Sequence, residues 1–158
     1  MVAEERDEKE TRIGLYNLHD VFLNASLLRK AMLACPIGQG PKTAHAEARF
    51  RYERMWTSSL SILVEAWHST PMRGVREYLD EVSGTAELTK LLRAARKSGL
   101  QDKLSDTRHY MCHRDQREFW DKGRSAPYGN LTEREEIHMA FSTVLLGGMN
   151  SLHDGEMS

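Results

Sequence analysis

The sequence predicts an all-α fold, a single-domain helical bundle of four to five main helices and one short helix. Apolar residues recur at spacings of three and four along most of the chain, which is the periodicity of a helix and not of a strand. Prolines and glycines separate these stretches. The chain has 158 residues, which is the length of one domain and enough to bury roughly 70% of the surface that the unfolded chain exposes.

The first two helices are the longest of the predicted elements. The first is expected from Glu5 to Leu33 and ends at a loop that contains two prolines and two glycines, 35–41. The second is expected from Thr43 to Ser69. Small residues on its other side indicate a central helix that packs on two sides. Its apolar residues fall on one face and are Trp56, Leu60, Leu63, Val64 and Trp67.

Shorter helices follow. One begins at Pro71 and ends at Ser83-Gly84, and the next runs from Thr85 to Lys97, with a basic last turn before Ser98-Gly99. A fourth long helix is expected over Leu104 to Lys122. The last helix is expected to be capped by Asn130 or Thr132 and to end before Gly147-Gly148, so that the tail 149–158 frays.

Positive charge is concentrated on one segment. Residues 90–124 contain ten Lys or Arg and five Asp or Glu, which gives +5 in a chain whose total is −1. Such a segment attracts anions. The near-neutral charge of the whole chain, however, argues against a protein that coats nucleic acid without specificity. Two cysteines are too few for a disulfide framework. The charged N-terminus and the lack of a run of about 18 apolar residues predict a cytoplasmic protein with no signal peptide and no membrane span.

The stretch Leu104 to Lys122, LSDTRHYMCHRDQREFWDK, concentrates the side chains best suited to chemistry on a phosphate ester. Arg108 is a permanent cation, and His113 can hold or release a proton near neutral pH. Five positions on a regular helix place the two side chains about 140° apart. We therefore expect either an irregular helix or, as we favour, a composite cleft formed by two copies across a two-fold axis. His109, His113 and Trp120 share the stripe that would face this cleft.

The order of two stretches resembles the HEPN superfamily. MWTSSLSILVEAWHS in the second helix precedes LSDTRHYMCHRD, and the resemblance covers roughly Arg49 to Trp120. In that superfamily an arginine and a histidine lie four to six residues apart at the start of a late helix, and a subset has an upstream glutamate and tryptophan, here Glu65 and Trp67. The residue after the arginine is commonly asparagine in the family and is His109 here.

The resemblance implies an all-α, HEPN-like bundle that is usually a homodimer and, in many members, cleaves RNA without a metal or another cofactor. It implies catalytic roles for Arg108, His113, His109 and Glu65. In such a reaction a histidine acts as acid or base, and an arginine donates paired hydrogen bonds to phosphate oxygens. From its small and apolar neighbours we expect Glu65 to be a semi-buried carboxylate that is bonded to Arg108 or to a histidine and orients it, with a purely structural hydrogen bond as the alternative. The expected RNA-binding residues are Lys103, Arg114, Arg117 and Lys122.

Family membership also suggests the partners. HEPN nucleases often act as growth-arresting toxins that a partner holds in check, or as abortive-infection effectors in antiviral defence. RNA or a nucleotide, a second copy of the chain and a protein antitoxin are therefore the expected partners. A HEPN-like bundle that binds RNA or a nucleotide, or serves as an adaptor, without catalysis is an alternative that the His109 departure favours.

Metal-binding alternatives remain open. Glu65-Ala66-Trp67-His68 and Glu135-Glu136-Ile137-His138 match the Glu-x-x-His motif of di-iron four-helix bundles. Thr132 and Glu135, however, also form the pattern of a capping box, which would account for Glu135. A zinc site formed by His109, Cys112 and His113 would need a fourth ligand from elsewhere.

Arg108 also has a purely structural explanation. It could pair at the surface with Asp106 or Asp115, where an ion pair contributes little to stability. Arg114 and Arg117 could likewise lie on a solvated face.

Overall fold

A computed structural model of the protein describes residues 2–36, 44–112 and 130–156. Within these ranges the chain forms six α-helices, one 3-10 helix and no strand, which confirms the predicted all-α, single-domain bundle. None of the helices described there is long and apolar enough to span a bilayer. The helices are α1 Val2–Ala34, α2 Ala44–His68, the 3-10 helix Thr70–Met72, α3 Arg73–Ser83, α4 Ala86–Ser98, α5 Leu100–Cys112 and α6 Leu131–Glu156.

The helices α1 and α2 pack against each other in antiparallel directions. Near the start of α2, Arg49 Nη1 donates to the carbonyl oxygens of Met32 and Cys35 at the end of α1, at 3.2 and 3.4 Å. Trp67, at the other end of α2, lies in the same apolar cluster as Leu15. The helix α5 contacts α2 as well, so the expectation that α2 is central and packed on two sides is confirmed.

One apolar core joins all six helices. The predicted apolar face of α2 is buried throughout, with exposed fractions from 0% to 4%. Side chains of this size stabilise the fold by about 1.5–3 kcal/mol each when fully buried. The buried side chains that α1, α2 and α6 contribute to this core include Leu15, Leu18, Phe22, Leu60, Leu63, Trp67, Ile137, Phe141 and Leu145.

The last helix continues past the glycine pair at which it was predicted to end. A Cβ atom on Gly148 would lie 2.2 Å from Leu79 Cδ2, and one on Gly147 would lie 2.3 Å from Ser83 Oγ. The two glycines therefore permit α3 to lie against α6, and the helix extends to Glu156. The predicted end before Gly147 is wrong, and so is the predicted fraying of residues 149–156, because these glycines provide space for a neighbouring helix and do not cap one. Residues 157 and 158 lie outside the described residues.

Asn130 caps the start of α6. Its Oδ1 accepts hydrogen bonds from the backbone N–H groups of Thr132 and Glu133, at 2.8 and 3.4 Å. Thr132 lies inside the first turn, so the predicted capping box of Thr132 and Glu135 is wrong. The Glu135 carboxylate instead pairs with Arg29 Nε of α1 at 2.6 Å.

Candidate functional site

Arg108 lies on α5 beside the face that is buried. Leu100, Leu104 and Thr107 are only 1–2% exposed and follow one another at offsets of four and three, which fixes that face toward the core. Arg108 flanks it and reaches across to α2. Its Nη1 lies 2.5 Å from Glu65 Oε2, and each of the two side chains is 38% exposed.

A second contact holds the carboxylate of Glu65. Ser61 lies one turn earlier on α2, is 2% exposed, and donates its Oγ hydrogen to Glu65 Oε1 at 3.3 Å. Both carboxylate oxygens therefore have partners. The expected contact of a semi-buried Glu65 with Arg108 is confirmed, and the alternative pairing of Arg108 with Asp106 is not what the structure shows. The catalytic role of the two residues stays a prediction.

A small cleft lies beside this ion pair, between α2 and the first turns of α5. Its volume is about 240 Å³, and Glu65 forms part of its wall. Val64 and Leu104, which are 3% and 1% exposed, provide its apolar surface. Gln101 and Asp102 line the end nearest the start of α5. The cleft and the ion pair are thus one continuous feature of the α2–α5 surface.

The other predicted site residues fall into two groups. His109 and Lys103 are exposed on α5, the helix that carries Arg108. The rest lie outside the described residues, as do Asp115 and Trp120; they are His113, Arg114, Arg117 and Lys122.

Positive charge extends from α5 to the neighbouring helices. The pKa of His68, at the end of α2, is lowered by burial and by the charges of Arg76 on α3 and Arg96 on α4. Arg76 Nη1 also donates to the carbonyl oxygens of Trp67 and Ser69, the latter at 2.8 Å. Two arginines, Arg76 of α3 and Arg96 of α4, therefore lie near the end of α2, one turn beyond Glu65.

The two Glu-x-x-His motifs are engaged in contacts of other kinds. Glu65 pairs with Arg108, and Glu135 pairs with Arg29. Both ring nitrogens of His138 have hydrogen-bond partners, Ser26 and Trp56. In the part of the chain that the structure describes, no group of three His, Cys, Asp or Glu side chains is placed to hold a metal ion. The suggested zinc set includes His113, which is outside that part.

A second polar cluster lies inside the bundle, where α1, α2 and α6 meet. Arg134 is 2% exposed, and its Nη2 donates to Glu53 Oε1 and its Nη1 to Thr57 Oγ1, both at 2.7 Å. Its guanidinium carbon lies 5.3 Å from the centre of the Trp56 ring, a distance at which a cation is attracted to an aromatic face. The burial of this charge is thus compensated by an ion pair, a hydroxyl and an aromatic ring.

His138 belongs to the same cluster and is held in its neutral form. Trp56 Nε1 can only donate, and it does so to His138 Nδ1 at 3.3 Å, so the ring proton is on Nε2, 3.3 Å from Ser26 Oγ. The ring also lies 5.0 Å from that of Phe22. Burial, and next the charge of Arg29, lower the pKa of His138 to about 4.

The sequence interpretation missed this cluster. Arg134, Ile137, Phe141 and Val144 follow one another at offsets of three and four, so the arginine lies in line with the apolar face of its helix. That alignment is the signal that could have predicted a buried arginine. It was overlooked because a charge near a helix start is ordinarily solvated.

Fold and site together define a class: an all-α bundle with a buried polar cluster and, on the α2–α5 surface, a half-exposed ion pair beside a small cleft. Comparison of the chain with protein-family models, curated proteins and solved structures gave no match. The HEPN resemblance therefore stays a prediction from two sequence stretches.

Proposed function

We propose that this protein is a metal-independent endoribonuclease of the HEPN type that acts as a homodimer, with Arg108 and His113 as its principal catalytic residues. Growth arrest, as a toxin controlled by an antitoxin protein or as an abortive-infection effector, is the biological role that goes with this activity. The observation that carries the proposal is the half-exposed ion pair of Glu65 on α2 with Arg108 on α5, the helix that also carries His109.

The ion pair prepares the guanidinium for a phosphate. Glu65 fixes one Nη atom, and a guanidinium held at one edge can still donate from its other N–H groups to phosphate oxygens. Because both side chains are 38% exposed, a ligand can reach them without opening the core. The charges of Arg76 and Arg96 add to the attraction for an RNA backbone.

The proposed reaction needs no metal. A histidine takes the proton from the ribose 2′-hydroxyl, the 2′-oxygen attacks the adjacent phosphorus, and Arg108 stabilises the negative charge that develops on the phosphate oxygens. Protonation of the leaving 5′-oxygen completes the step and leaves a 2′,3′-cyclic phosphate. His113 is the proposed acid or base, and His109 is the neighbouring histidine on the exposed surface of α5.

The homodimer follows from the helix geometry. Arg108 and His113 are about 140° apart on a regular helix, and α5 is α-helical at least as far as Cys112. On a helix that continued regularly to residue 113, one copy would not bring both groups to one phosphate. Two copies related by a two-fold axis can, with Arg108 from one and His113 from the other.

The test is cleavage of single-stranded RNA by the purified chain in EDTA. We expect products with 2′,3′-cyclic phosphate ends, and we expect Arg108→Ala and His113→Ala each to abolish them. Arg73→Ala is the matched control, because Arg73 also forms an exposed ion pair, with Glu77 at 2.8 Å on α3. That variant should cleave like the wild type. Products that appear only when iron or zinc is added would contradict the proposal.

Mixing the two inactive variants tests the composite cleft. In a mixed dimer one of the two clefts takes Arg108 from the His113→Ala copy and His113 from the Arg108→Ala copy, so it is intact. Random exchange should restore about a quarter of the wild-type activity. No recovery, with mixed dimers shown by mass spectrometry, would mean that each copy carries its own site.

A non-catalytic RNA-binding module is the second candidate. The observation that favours it is the same ion pair, since Glu65 already compensates much of the charge of Arg108, together with His109 in place of the asparagine common in the family. Binding of RNA without any cleavage, weakened by Arg108→Ala and not by Arg73→Ala, would establish this function instead.

A further inference from the structure

The cleft beside Glu65 and Arg108 has the dimensions of a site for a single planar group. Its volume of about 240 Å³ is below the range of pockets that enclose drug-sized ligands. Val64 on α2 and Leu104 on α5 give it an apolar surface on which the face of a ring can lie. Burying that face removes apolar area from water.

The polar side chains of the cleft differ in whether they already have hydrogen-bond or ion-pair partners. Both carboxylate oxygens of Glu65 have partners, Arg108 and Ser61. Asp102 and Gln101 also line the cleft, and neither forms an ion pair or a side-chain hydrogen bond with another of the described residues. A ligand would therefore meet one carboxylate and one carboxamide whose hydrogen-bonding groups are available to it.

We infer that this cleft binds guanine, with the Asp102 carboxylate accepting hydrogen bonds from guanine N1–H and from its 2-amino group, and the Gln101 amide donating to O6. Guanine is the RNA base that presents two adjacent donors on its Watson–Crick edge, which match the two oxygens of a carboxylate. Adenine, cytosine and uracil each present only one donor on that edge. A carboxylate beside a carboxamide thus selects guanine.

The position of the cleft connects it to the proposed reaction. Glu65 contributes to the wall of the cleft and also holds Arg108, so a base bound there lies next to the phosphate that Arg108 would contact. The inference rests on the proposed function in this respect: it makes the cleft the base-recognition part of the nuclease site. Cleavage would then occur at a guanine, because that base positions its neighbouring phosphate against Arg108.

Nucleotide binding tests the inference without requiring activity. Guanosine, inosine, adenosine, cytidine and uridine 5′-monophosphates are titrated separately into the full chain, and binding is followed by calorimetry. We expect the guanosine nucleotide to bind roughly ten- to a hundredfold more tightly than the adenosine, cytidine and uridine nucleotides. Inosine lacks the 2-amino group and should have an intermediate affinity.

Asp102→Asn is the decisive variant, because it replaces one of the two accepting oxygens by a donor. It should remove most of the preference for guanine. Asp106→Asn is the matched control: Asp106 lies one turn further along α5, is exposed like Asp102, and does not line the cleft. The Asp106→Asn variant should bind each nucleotide as the wild type does. Thermal melting of both variants shows whether they are folded to the same extent.

The outcomes separate the inference from the proposed function. RNA cleavage with no base preference and equal binding of all five nucleotides would overturn the guanine site and leave the nuclease intact. Selective binding of the guanosine nucleotide that Asp102→Asn removes would support the site even if no RNA is cleaved. Selective binding that Asp102→Asn leaves unchanged would overturn the assignment of the cleft.

Discussion

Two arginine–glutamate pairs connect α2 to later helices, and they differ in burial. Glu53 pairs with Arg134 of α6 at 2.7 Å, where Arg134 is 2% exposed and Glu53 24% exposed. Glu65 pairs with Arg108 of α5 at 2.5 Å, with both side chains 38% exposed. The chemical groups are the same and the distances are similar, so burial and the neighbouring side chains determine what each pair can do.

The difference teaches which arginine is available to a ligand. A buried charge must be compensated from within, and Arg134 has Glu53, the Thr57 hydroxyl and the Trp56 ring around it. Removing any of these three groups lowers the stability of the protein, so the pair of Glu53 and Arg134 has a structural role. Arg108 keeps contact with solvent, and the loss of its pair costs little. The surface pair can therefore exchange partners with a phosphate at small expense to stability.

The largest expected effect is that of Arg134→Ala. The substitution leaves a partly buried carboxylate on Glu53 and a fully buried hydroxyl on Thr57 without the guanidinium, and it should lower the free energy of unfolding by about 3–5 kcal/mol. Urea denaturation measures the effect. The double variant Arg134→Met with Glu53→Gln should recover part of the loss, because it removes both charges. A loss below about 1 kcal/mol for Arg134→Ala would place this pair with the surface pairs.

His138 makes the same cluster sensitive to acid. Its pKa is about 4 in the folded protein and roughly 6.5 in an unfolded chain. Between these values the unfolded chain binds the proton and the folded protein does not, so the stabilisation is complete above pH 6.5 and is lost as the pH falls toward 4. The expected loss is about 3 kcal/mol, since the protonated ring cannot accept the hydrogen bond from Trp56.

The measurement for His138 is the free energy of unfolding from pH 7 to pH 4. Carboxylates also contribute to acid sensitivity in this range, so the wild type is compared with His138→Gln, which cannot titrate at this position. The variant should be less stable at pH 7 and should show a smaller slope below pH 6.5. Equal slopes for the two proteins would mean that His138 is protonated as readily in the fold as outside it.

Most of the fold was predictable because burial leaves a periodic pattern. The apolar spacing in α2 gave its buried face correctly, from Trp56 to Trp67. Glycine does not carry the same information, since it can end a helix or provide space for a neighbour. At Gly148 the second use applies, because Leu79 of α3 lies against it. Nothing local to the pair reveals where α3 passes.

The two ion pairs show that the burial of polar residues, too, is only partly predictable from the sequence. A contact of Glu65 with Arg108 or a histidine was predicted, because a glutamate among small and apolar neighbours needs a partner, and the structure shows Arg108. The burial of Arg134 was not predicted, because it depends on Glu53, Trp56 and Thr57, which are distant in sequence and approach only when α2 packs on α6. Whether a charge on an apolar face is buried is decided by such tertiary contacts.

A smaller difference in stability is expected between variants that lack the hydroxyl groups beside the two ion pairs, those of Thr57 and Ser61. Thr57 Oγ1 accepts from Arg134 Nη1 and donates to the backbone oxygen of Glu53, both at 2.7 Å, and the residue is 0% exposed. Thr57→Val should cost about 1.5 kcal/mol, because a charged donor loses a buried acceptor. Ser61→Ala removes only the 3.3 Å bond to Glu65, whose carboxylate reaches water, and should cost about 0.5 kcal/mol. Equal costs in urea denaturation would contradict the assigned difference in solvation.

The smallest effect on stability is expected at the surface pair itself. Arg108→Ala and Glu65→Gln should each change the free energy of unfolding by less than about 1 kcal/mol, because the remaining partner is solvated. The difference from Arg134→Ala should persist in 0.5 M NaCl, which screens the exposed pair and leaves the buried one largely unaffected. If Arg108→Ala unfolds the protein as strongly as Arg134→Ala, the guanidinium is a structural element of the bundle, and the proposal that it binds phosphate loses its main support.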